Sequence, residues 1–160
     1  RAVTEPRVGS AVLTGYGEAL LAAGLPAPAA PVFRRALDTT PGAVAARTGL
    51  ARALTALSDV EGAEAAYREA VETLPSYGPA ALELAELLWS TGRREDALRE
   101  LIVFLELDRG HVAALVRLGE WLDGLGRTVQ AARAFRRALA VDPTHAAARA
   151  GLRRMAPKGG

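Results

Sequence analysis

The sequence predicts an all-α protein built as a solenoid, in which four helical hairpins follow one another along the chain. The pentapeptide Phe-Arg-Arg-Ala-Leu occurs at residues 33–37 and again at residues 135–139, which places the copies 102 residues apart. One third of that distance gives a period of thirty-four residues. At six positions of the repeat, similar residues recur with this period, and no insertion is needed. Three of the six series are Ala29, Ala63, Ala97 and Ala131; Phe33, Tyr67, Leu101 and Phe135; and Gly24, Ser58, Gly92 and Gly126. A unit of this length buries its apolar faces only by stacking on its neighbours.

Each repeat is predicted to contain two amphipathic helices, called here its first and second helix. Apolar residues recur three and four positions apart, as with Leu13 and Leu20 in one helix and Phe33 and Leu37 in the next. That spacing places them on one face of an α-helix. The short segments AGLP, LSDV, TGRR and LGRT lie between the two helices and are typical of turns.

The first two repeats carry specific signals for the start of the second helix. Ser58 and Glu61 match the S-x-x-E capping box, which predicts that Ser58 caps that helix. Pro26, Pro28 and Pro31 precede the first pentapeptide. Proline is tolerated in the first turn, where amides have no intrahelical partner, so we expect these prolines to lie there.

The two ends of the chain differ from the repeats. Residues 146–155 continue the helical pattern and are predicted to form a capping helix. Arg149 and Arg153 fall where earlier repeats face their neighbour, so we expect its outer face to be solvated. Residues 1–9 are in register with a second helix and are expected to be the tail of a preceding repeat in a longer protein. Residues 156–160 are expected to form a flexible tail.

A helical hairpin of this period with small residues such as Gly17, Ala51 and Gly119, an aromatic residue like Phe33 and a closing proline resembles the tetratricopeptide repeat. The resemblance covers residues 10–143 as four repeats. Their approximate bounds are 10–43, 44–77, 78–111 and 112–145. It implies a right-handed α-solenoid with the capping helix at its C-terminal end.

The third repeat departs most from this pattern. Leu101 replaces the aromatic residue, Phe104 occupies a slot held elsewhere by alanine, and Arg109 replaces the proline. Ile102 and Val103 stand where other repeats carry charged residues, which predicts an outer contact patch. The alternative is a local repacking around Phe104.

Nothing in the sequence points to catalysis. The chain has no cysteine, which excludes disulfides, thiolate metal sites and a cysteine nucleophile. His111 and His145 are one repeat period apart, so each begins a first helix in successive repeats. Equivalent atoms there are roughly 10 Å apart, too far for a shared metal bound at about 2 Å per ligand. We therefore predict no catalytic residue, no cofactor and no metal. No apolar run reaches the roughly 20 residues that span a bilayer, so no membrane insertion is predicted.

The charge is unevenly distributed. Residues 127–160 carry eight basic residues and one acid, or +7, whereas the whole chain carries +2, so the remainder carries −5. The basic end contains Arg133, Arg136, Arg137, Arg149, Arg153 and Arg154. No exposed aromatic residue is interleaved for base stacking, so a solvated helix face is favoured and no nucleic acid is predicted. The acidic set Asp59, Glu61, Glu64, Glu69 and Glu72 could meet this end in another molecule, which leaves a homo-oligomer open.

The resemblance also implies where a partner binds. In this family the first helices line the concave side, where an extended or helical peptide is commonly held. The corresponding groove residues are Thr14, Glu18, Leu21, Thr48, Arg52, Thr55, Leu82, Glu86, Trp89, Val116, Glu120 and Asp123.

The charge of this groove indicates what it would accept. Its central slot holds Glu18, Arg52, Glu86 and Glu120, so the face is expected to be acidic toward its C-terminal half. Trp89 is expected to offer a flat apolar platform beside these carboxylates, unless it packs against the neighbouring first helix. A peptide with a large apolar or cationic side chain would fit. The carboxylate clamp of some relatives is not supported, because asparagine is absent and glutamates occupy the face.

These observations predict a non-catalytic scaffold that binds a protein or peptide segment on its concave face. Two alternatives stay open: a repeat domain that positions substrate in a multidomain enzyme, and a self-association module. Arginine supplies 19 of the 20 basic residues, which indicates GC-rich coding and a bacterial source.

Overall fold

The structure, a computed structural model, describes residues 9–155, and every regular element in that range is a helix. This confirms the prediction of an all-α fold. The predicted tail at residues 1–9, apart from Gly9, and the predicted flexible tail at residues 156–160 lie outside the described residues.

The helices are α1 (Ser10–Ala22), α2 (Pro26–Thr39), α3 (Val44–Ala56), α4 (Val60–Thr73), α5 (Gly78–Ser90), α6 (Arg94–Leu107), α7 (Val112–Gly124), α8 (Thr128–Val141) and α9 (Ala146–Met155). The odd-numbered helices α1 to α7 are the first helices of the hairpins, and α2 to α8 are the second helices.

The described residues form two compact units, divided within α5 between Leu87 and Leu88. In the first unit α1 packs on α2 and α3 on α4, while α2 also packs on α3. In the second unit α7 packs on α8 and α8 on α9, while α6 packs on α7. Each unit therefore repeats the same hairpin contacts.

The turn inside each hairpin requires one residue in the left-handed region of backbone space. The four residues and their φ angles are Gly24 at +73°, Ser58 at +64°, Gly92 at +84° and Gly126 at +73°. At the second turn, the Ser58 N–H donates to the Thr55 carbonyl (3.0 Å) and the Asp59 N–H to the Leu54 carbonyl (2.9 Å). This pair of bonds is a Schellman motif, which ends the first helix and reverses the direction of the chain. The recurring turn series is thus a series of helix C-termini.

Two local predictions about helix starts are wrong. The cap of α4 is Asp59, whose carboxylate accepts from the Gly62 N–H at 3.0 Å, and Ser58 lies in the left-handed turn instead. Helix α2 begins at Pro26, so Pro31 lies in its second turn and not in its first. Because proline has no N–H, the carbonyl four residues earlier, that of Ala27, loses its usual intrahelical donor.

The recurring aromatic residue packs where the neighbouring helices carry glycine. Phe33 is completely buried, and a Cβ atom added at Gly17 or at Gly49 would lie 2.6 Å or 2.3 Å from its ring. Phe135 repeats this arrangement with Gly119 and Gly151, where the distances are 2.7 Å and 2.5 Å. A phenylalanine at this position therefore needs a glycine sixteen residues before it and another sixteen residues after it.

The middle repeats change the ring and its surroundings together. Tyr67 takes the ring position in the second repeat, and the slot sixteen residues later holds Glu83, to which the Tyr67 hydroxyl donates at 3.0 Å. Leu101 takes the position in the third repeat, and the later slot holds Arg117. The slot sixteen residues after the ring position therefore holds a residue other than glycine in two cases. In one, a tyrosine hydroxyl bonds the side chain in that slot; in the other, leucine replaces the ring.

Phe104 in the third repeat is buried, and its ring meets the His111 imidazole edge-on at 5.1 Å. Ile102 and Val103 remain 48% and 51% exposed. The burial of Phe104 therefore does not draw the two preceding residues into the core.

Helix α9 covers the last hairpin. Its buried residues are Ala148 and Gly151, whereas Arg149 and Arg153 are exposed. Among residues 9–155, no helix is both long enough and apolar enough to cross a membrane.

Candidate functional site

The predicted groove residues lie on the four first helices, and two of them are not accessible. The Thr48 side chain is 1% exposed, and its hydroxyl donates to the Val44 carbonyl at 2.9 Å. Val116 is 7% exposed. Both belong to the packing between helices, so the expectation that they line the groove is corrected. The other ten are half-buried or exposed.

The first unit has a fixed ionic cluster at its centre, formed by Glu18 on α1, Arg52 on α3 and Glu83 on α5. The Arg52 guanidinium donates to both Glu83 oxygens through Nε (3.0 and 2.8 Å) and again through Nη2 (2.7 Å). Its Nη1 donates to the Glu18 carboxylate at 3.0 Å. We call these three side chains the Arg52 cluster. Such forked pairs hold a guanidinium in one orientation.

Tyr67 ties the Arg52 cluster to the core. Its buried ring places the hydroxyl 3.0 Å from Glu83. Burial raises the pKa of the Tyr67 hydroxyl, and the negative charge of Glu83 raises it further. The hydroxyl therefore stays protonated and remains a donor. The hydrogen bonds that the Arg52 guanidinium donates to Glu83 likewise raise the pKa of Arg52, which keeps the guanidinium charged.

The two half-buried or exposed threonines of the groove bond to their own helices. The Thr14 hydroxyl donates to the Ser10 carbonyl at 2.8 Å, and the Thr55 hydroxyl donates to the Ala51 carbonyl at 2.9 Å. These are bonds to the carbonyl four residues earlier in the helix. The hydroxyl protons of both threonines are therefore already engaged within their own helices.

The second unit presents a pair of stacked tryptophans. The rings of Trp89 and Trp121 are parallel within 4°, with centroids 4.4 Å apart. The Arg94 guanidinium lies over the Trp89 ring at 5.5 Å, and the Arg117 guanidinium lies over the Trp121 ring at 6.0 Å. Trp89 thus packs against a residue of the neighbouring first helix, the alternative that the sequence left open, and does not form a bare platform. It remains half-buried, so part of the indole stays accessible.

Two groove carboxylates of the second unit have cationic partners. The Glu120 Oε2 atom lies 3.4 Å from Nη1 of Arg117. The Asp123 Oδ2 atom lies 3.2 Å from Nη2 of Arg154 on α9. The acidic character expected for this half of the groove is therefore partly neutralised.

Sequence reasoning missed Glu83, Tyr67 and Trp121. Glu83 stands in the repeat slot that holds Gly15 and Gly49, so a charged residue there was a detectable signal. The sequence showed Tyr67 only as a member of the recurring series that includes Phe33, and that series assigns no role to its hydroxyl.

The two histidines have a structural role. The Nδ1 atom of His111 accepts from the Ala114 N–H at 3.3 Å, and that of His145 accepts from the Ala148 N–H at 3.5 Å. Each therefore satisfies an amide at the start of a helix, and both lie at the helix entry that the repeat period predicted. Among residues 9–155, no group of three acidic or histidine side chains is placed to hold a metal ion.

Comparison with known sequences identifies the family. Two family models described as tetratricopeptide repeat match residues 15–78 and residues 61–141. The chain belongs to the tetratricopeptide repeat family. The predicted resemblance is thereby confirmed. No curated protein matches the sequence significantly.

Solved structures share the tetratricopeptide-repeat fold at low sequence identity. MamA is 20% identical with a TM-score of 0.74, over 86% of this chain and 80% of MamA. TTC0263, a thermophilic TPR protein of Thermus thermophilus, is 22% identical with a TM-score of 0.75, over 91% and 80%. YrrB, described as a TPR protein with an unusual peptide-binding site, is 20% identical with a TM-score of 0.67, over 89% and 74%. These likenesses establish the fold as an all-α helical-repeat solenoid.

Proposed function

We propose that this tetratricopeptide-repeat chain is a non-catalytic module that binds a peptide or protein segment on the face formed by its first helices. The observation that carries the proposal is the Arg52 cluster. Side chains from three successive first helices meet there in one hydrogen-bonded arrangement and still reach solvent. The side chains of Glu18, Arg52 and Glu83 are 40%, 35% and 26% exposed.

Pre-organisation makes this cluster suited to recognition. The carboxylates and the guanidinium are already held by mutual hydrogen bonds, so a ligand need not order them on binding. One cation and two carboxylates leave a net charge of −1. A cationic side chain of the bound segment would therefore be attracted to the carboxylates of Glu18 and Glu83.

The tryptophan pair supplies a second element in the other unit. The accessible part of Trp89 offers apolar surface, and the stack on Trp121 holds the indole in one orientation. Aromatic anchors commonly carry much of the energy of such interfaces, about 2 kcal/mol or more each. Each unit therefore offers a contact of its own: the Arg52 cluster of the first unit favours a basic residue, and the tryptophan pair of the second unit favours a large apolar side chain.

A displayed peptide library selected on the intact protein tests the proposal. The selected peptides are expected to be rich in arginine, lysine and large apolar residues, and to bind modestly more weakly as salt rises. Trp89→Ala is expected to weaken binding about thirtyfold, the equivalent of roughly 2 kcal/mol. Glu18→Gln is expected to weaken it about fivefold, because it removes one carboxylate charge.

Glu72→Gln is the matched control, since Glu72 is an exposed glutamate on the second helix α4. It should leave the affinity unchanged. Selected peptides that bind Trp89→Ala and Glu18→Gln as tightly as the unmodified protein would place the binding site elsewhere. Circular dichroism of each variant checks that the fold survives.

A further inference from the structure

The second unit contains a pocket whose walls are formed by the second helices α6 and α8. Its volume is about 430 Å³, within the range of roughly 300–1,000 Å³ typical of ligand sites. One wall is the face of α6 that carries Glu95, Arg99 and Ile102. The other is the face of α8 that carries Gln130, Arg133 and Arg137. We call this site the α6–α8 pocket.

The floor of the α6–α8 pocket is aliphatic. Leu98, Leu118, Leu122 and Ala134 line it, and each is nearly or fully buried. Ile102 stands at the rim and is 48% exposed. An apolar side chain entering from outside would meet carbon atoms below and the Ile102 side chain beside it, and would be removed from water.

The rim of the pocket is cationic. Arg99, Arg127, Arg133 and Arg137 line it together with a single acid, Glu95, which gives a net charge of +3. Arg99 pairs with Asp96 at 2.8 Å, Arg127 pairs with Glu95, and Arg137 donates to the Arg109 carbonyl at 3.2 Å. Within residues 9–155 Arg133 makes no ion pair or side-chain hydrogen bond, so its charge is available to a ligand.

The repeat does not require this charge. The positions two repeats earlier occupy the same slots in the first unit, and their only charged residues are Arg34, Asp59 and Glu69. The net charge of that set is −1, against +3 in the second unit. The net charge around the pocket is therefore not set by the repeat.

The shape indicates the kind of ligand. The seven lining residues outside the aliphatic floor are all exposed, so the pocket opens broadly to solvent along two helices. A site of this form suits a side chain projecting from a segment that lies across the rim, more than a small molecule enclosed on all sides. The cations Arg133 and Arg137 on the α8 wall suit carboxylates beside that side chain.

We propose that the α6–α8 pocket binds an acidic peptide segment of a partner protein. A large aliphatic side chain of the segment fills the pocket, and flanking carboxylates pair with Arg133 and Arg137. This site is separate from the proposed first-helix face and accepts the opposite charge.

The probe is a short fluorescein-labelled peptide in which two leucines are flanked by glutamates, and the measurement is fluorescence anisotropy with the intact protein. Two control peptides replace the glutamates by glutamine or the leucines by serine. Arg133→Ala is expected to weaken binding about fivefold, and Ile102→Ser about tenfold. Both control peptides are expected to bind at least about fivefold more weakly.

Each variant has a neighbour as a matched control. Arg136→Ala removes an exposed arginine of α8 that does not line the pocket, and Val103→Ser removes an equally exposed apolar residue of α6 that does not line it. Both should leave the affinity unchanged. Trp89→Ala and Glu18→Gln should also leave it unchanged, which separates this proposal from the first-helix face.

Several results would overturn the proposal. The acidic peptide could show no binding to the wild-type protein even at a protein concentration of about 1 mM, which would exclude a dissociation constant in the millimolar range or below. The four α6 and α8 variants could all bind equally, or the glutamine peptide could bind as tightly as the glutamate peptide. If the acidic peptide does not bind but binding to anionic lipid vesicles requires Arg133 and Ile102, the pocket is a membrane contact. If instead self-association measured by sedimentation requires these two residues, the pocket is an interface between copies of the chain.

Discussion

Gly49→Ala tests the glycine requirement around the repeated aromatic ring. A Cβ atom there would lie 2.3 Å from Cε1 and 2.4 Å from Cζ of Phe33, where ordinary contacts begin at 3.4 Å. The completely buried ring would have to move by about 1 Å, and over-packing of this kind typically costs about 1–3 kcal/mol. Alanine recovers about 1 kcal/mol of helix propensity. Because the ring contacts helices on both sides, we expect the upper range and a net loss of about 2 kcal/mol.

Gly15→Ala is the matched control, because Gly15 occupies the same repeat slot in α1 and has no atom within 4 Å of an added Cβ. It should gain up to about 1 kcal/mol from helix propensity alone. Urea unfolding followed by circular dichroism measures both changes. Adding Phe33→Leu to Gly49→Ala should cost less than the sum of the single changes, because leucine vacates the space of the ring. If Gly49→Ala were as stable as Gly15→Ala, the ring would not be packed against α3.

Three further predictions concern other elements of the fold. Ser58→Gly should raise the urea midpoint by the equivalent of about 0.5 kcal/mol, because Ser58 lies at a φ of +64° that glycine adopts without strain; a lower midpoint would contradict the turn geometry. The raised pKa of Tyr67 favours the folded state while the phenol is neutral, so this contribution is present below the ordinary value of 10.0 and is lost as the pH rises above it. Titration of phenolate absorbance should reveal one late tyrosine that disappears in Tyr67→Phe, and an unchanged curve would refute the assignment. Deleting Ala146–Met155 should lower the melting temperature by several degrees, because Gly151 covers the buried ring of Phe135; an unchanged melt would exclude a capping role.

Sequence alone determined the repeat and the class of fold. The repeat period specifies where each hairpin turns, since a residue such as Gly24 or Gly92 marks a backbone conformation that few residues adopt. The spacing of apolar residues three and four positions apart specifies which helix faces are buried. These properties are local, or repeat identically along the chain, so the order of letters is enough to predict them. The assignment to the tetratricopeptide repeat family follows from the same pattern.

Helix starts were harder to predict, because neighbouring residues compete for the same role. Ser58 and Asp59 are both good caps, and only the path of the turn assigns the left-handed position to one and the cap to the other. The same turn geometry lets α2 begin at Pro26, which leaves Pro31 in its second turn.

Tertiary structure decided which side chains meet. Arg52 could be placed on a first-helix stripe beside Glu18, but its strongest partner is Glu83, which lies in a different slot on another helix. Trp89 could be placed on the same face, but only the distance between α5 and α7 shows that Trp121 reaches it. Whether a long side chain reaches a neighbouring helix depends on the distance between the helices and on its rotamer. The spacing of residues along one helix specifies neither.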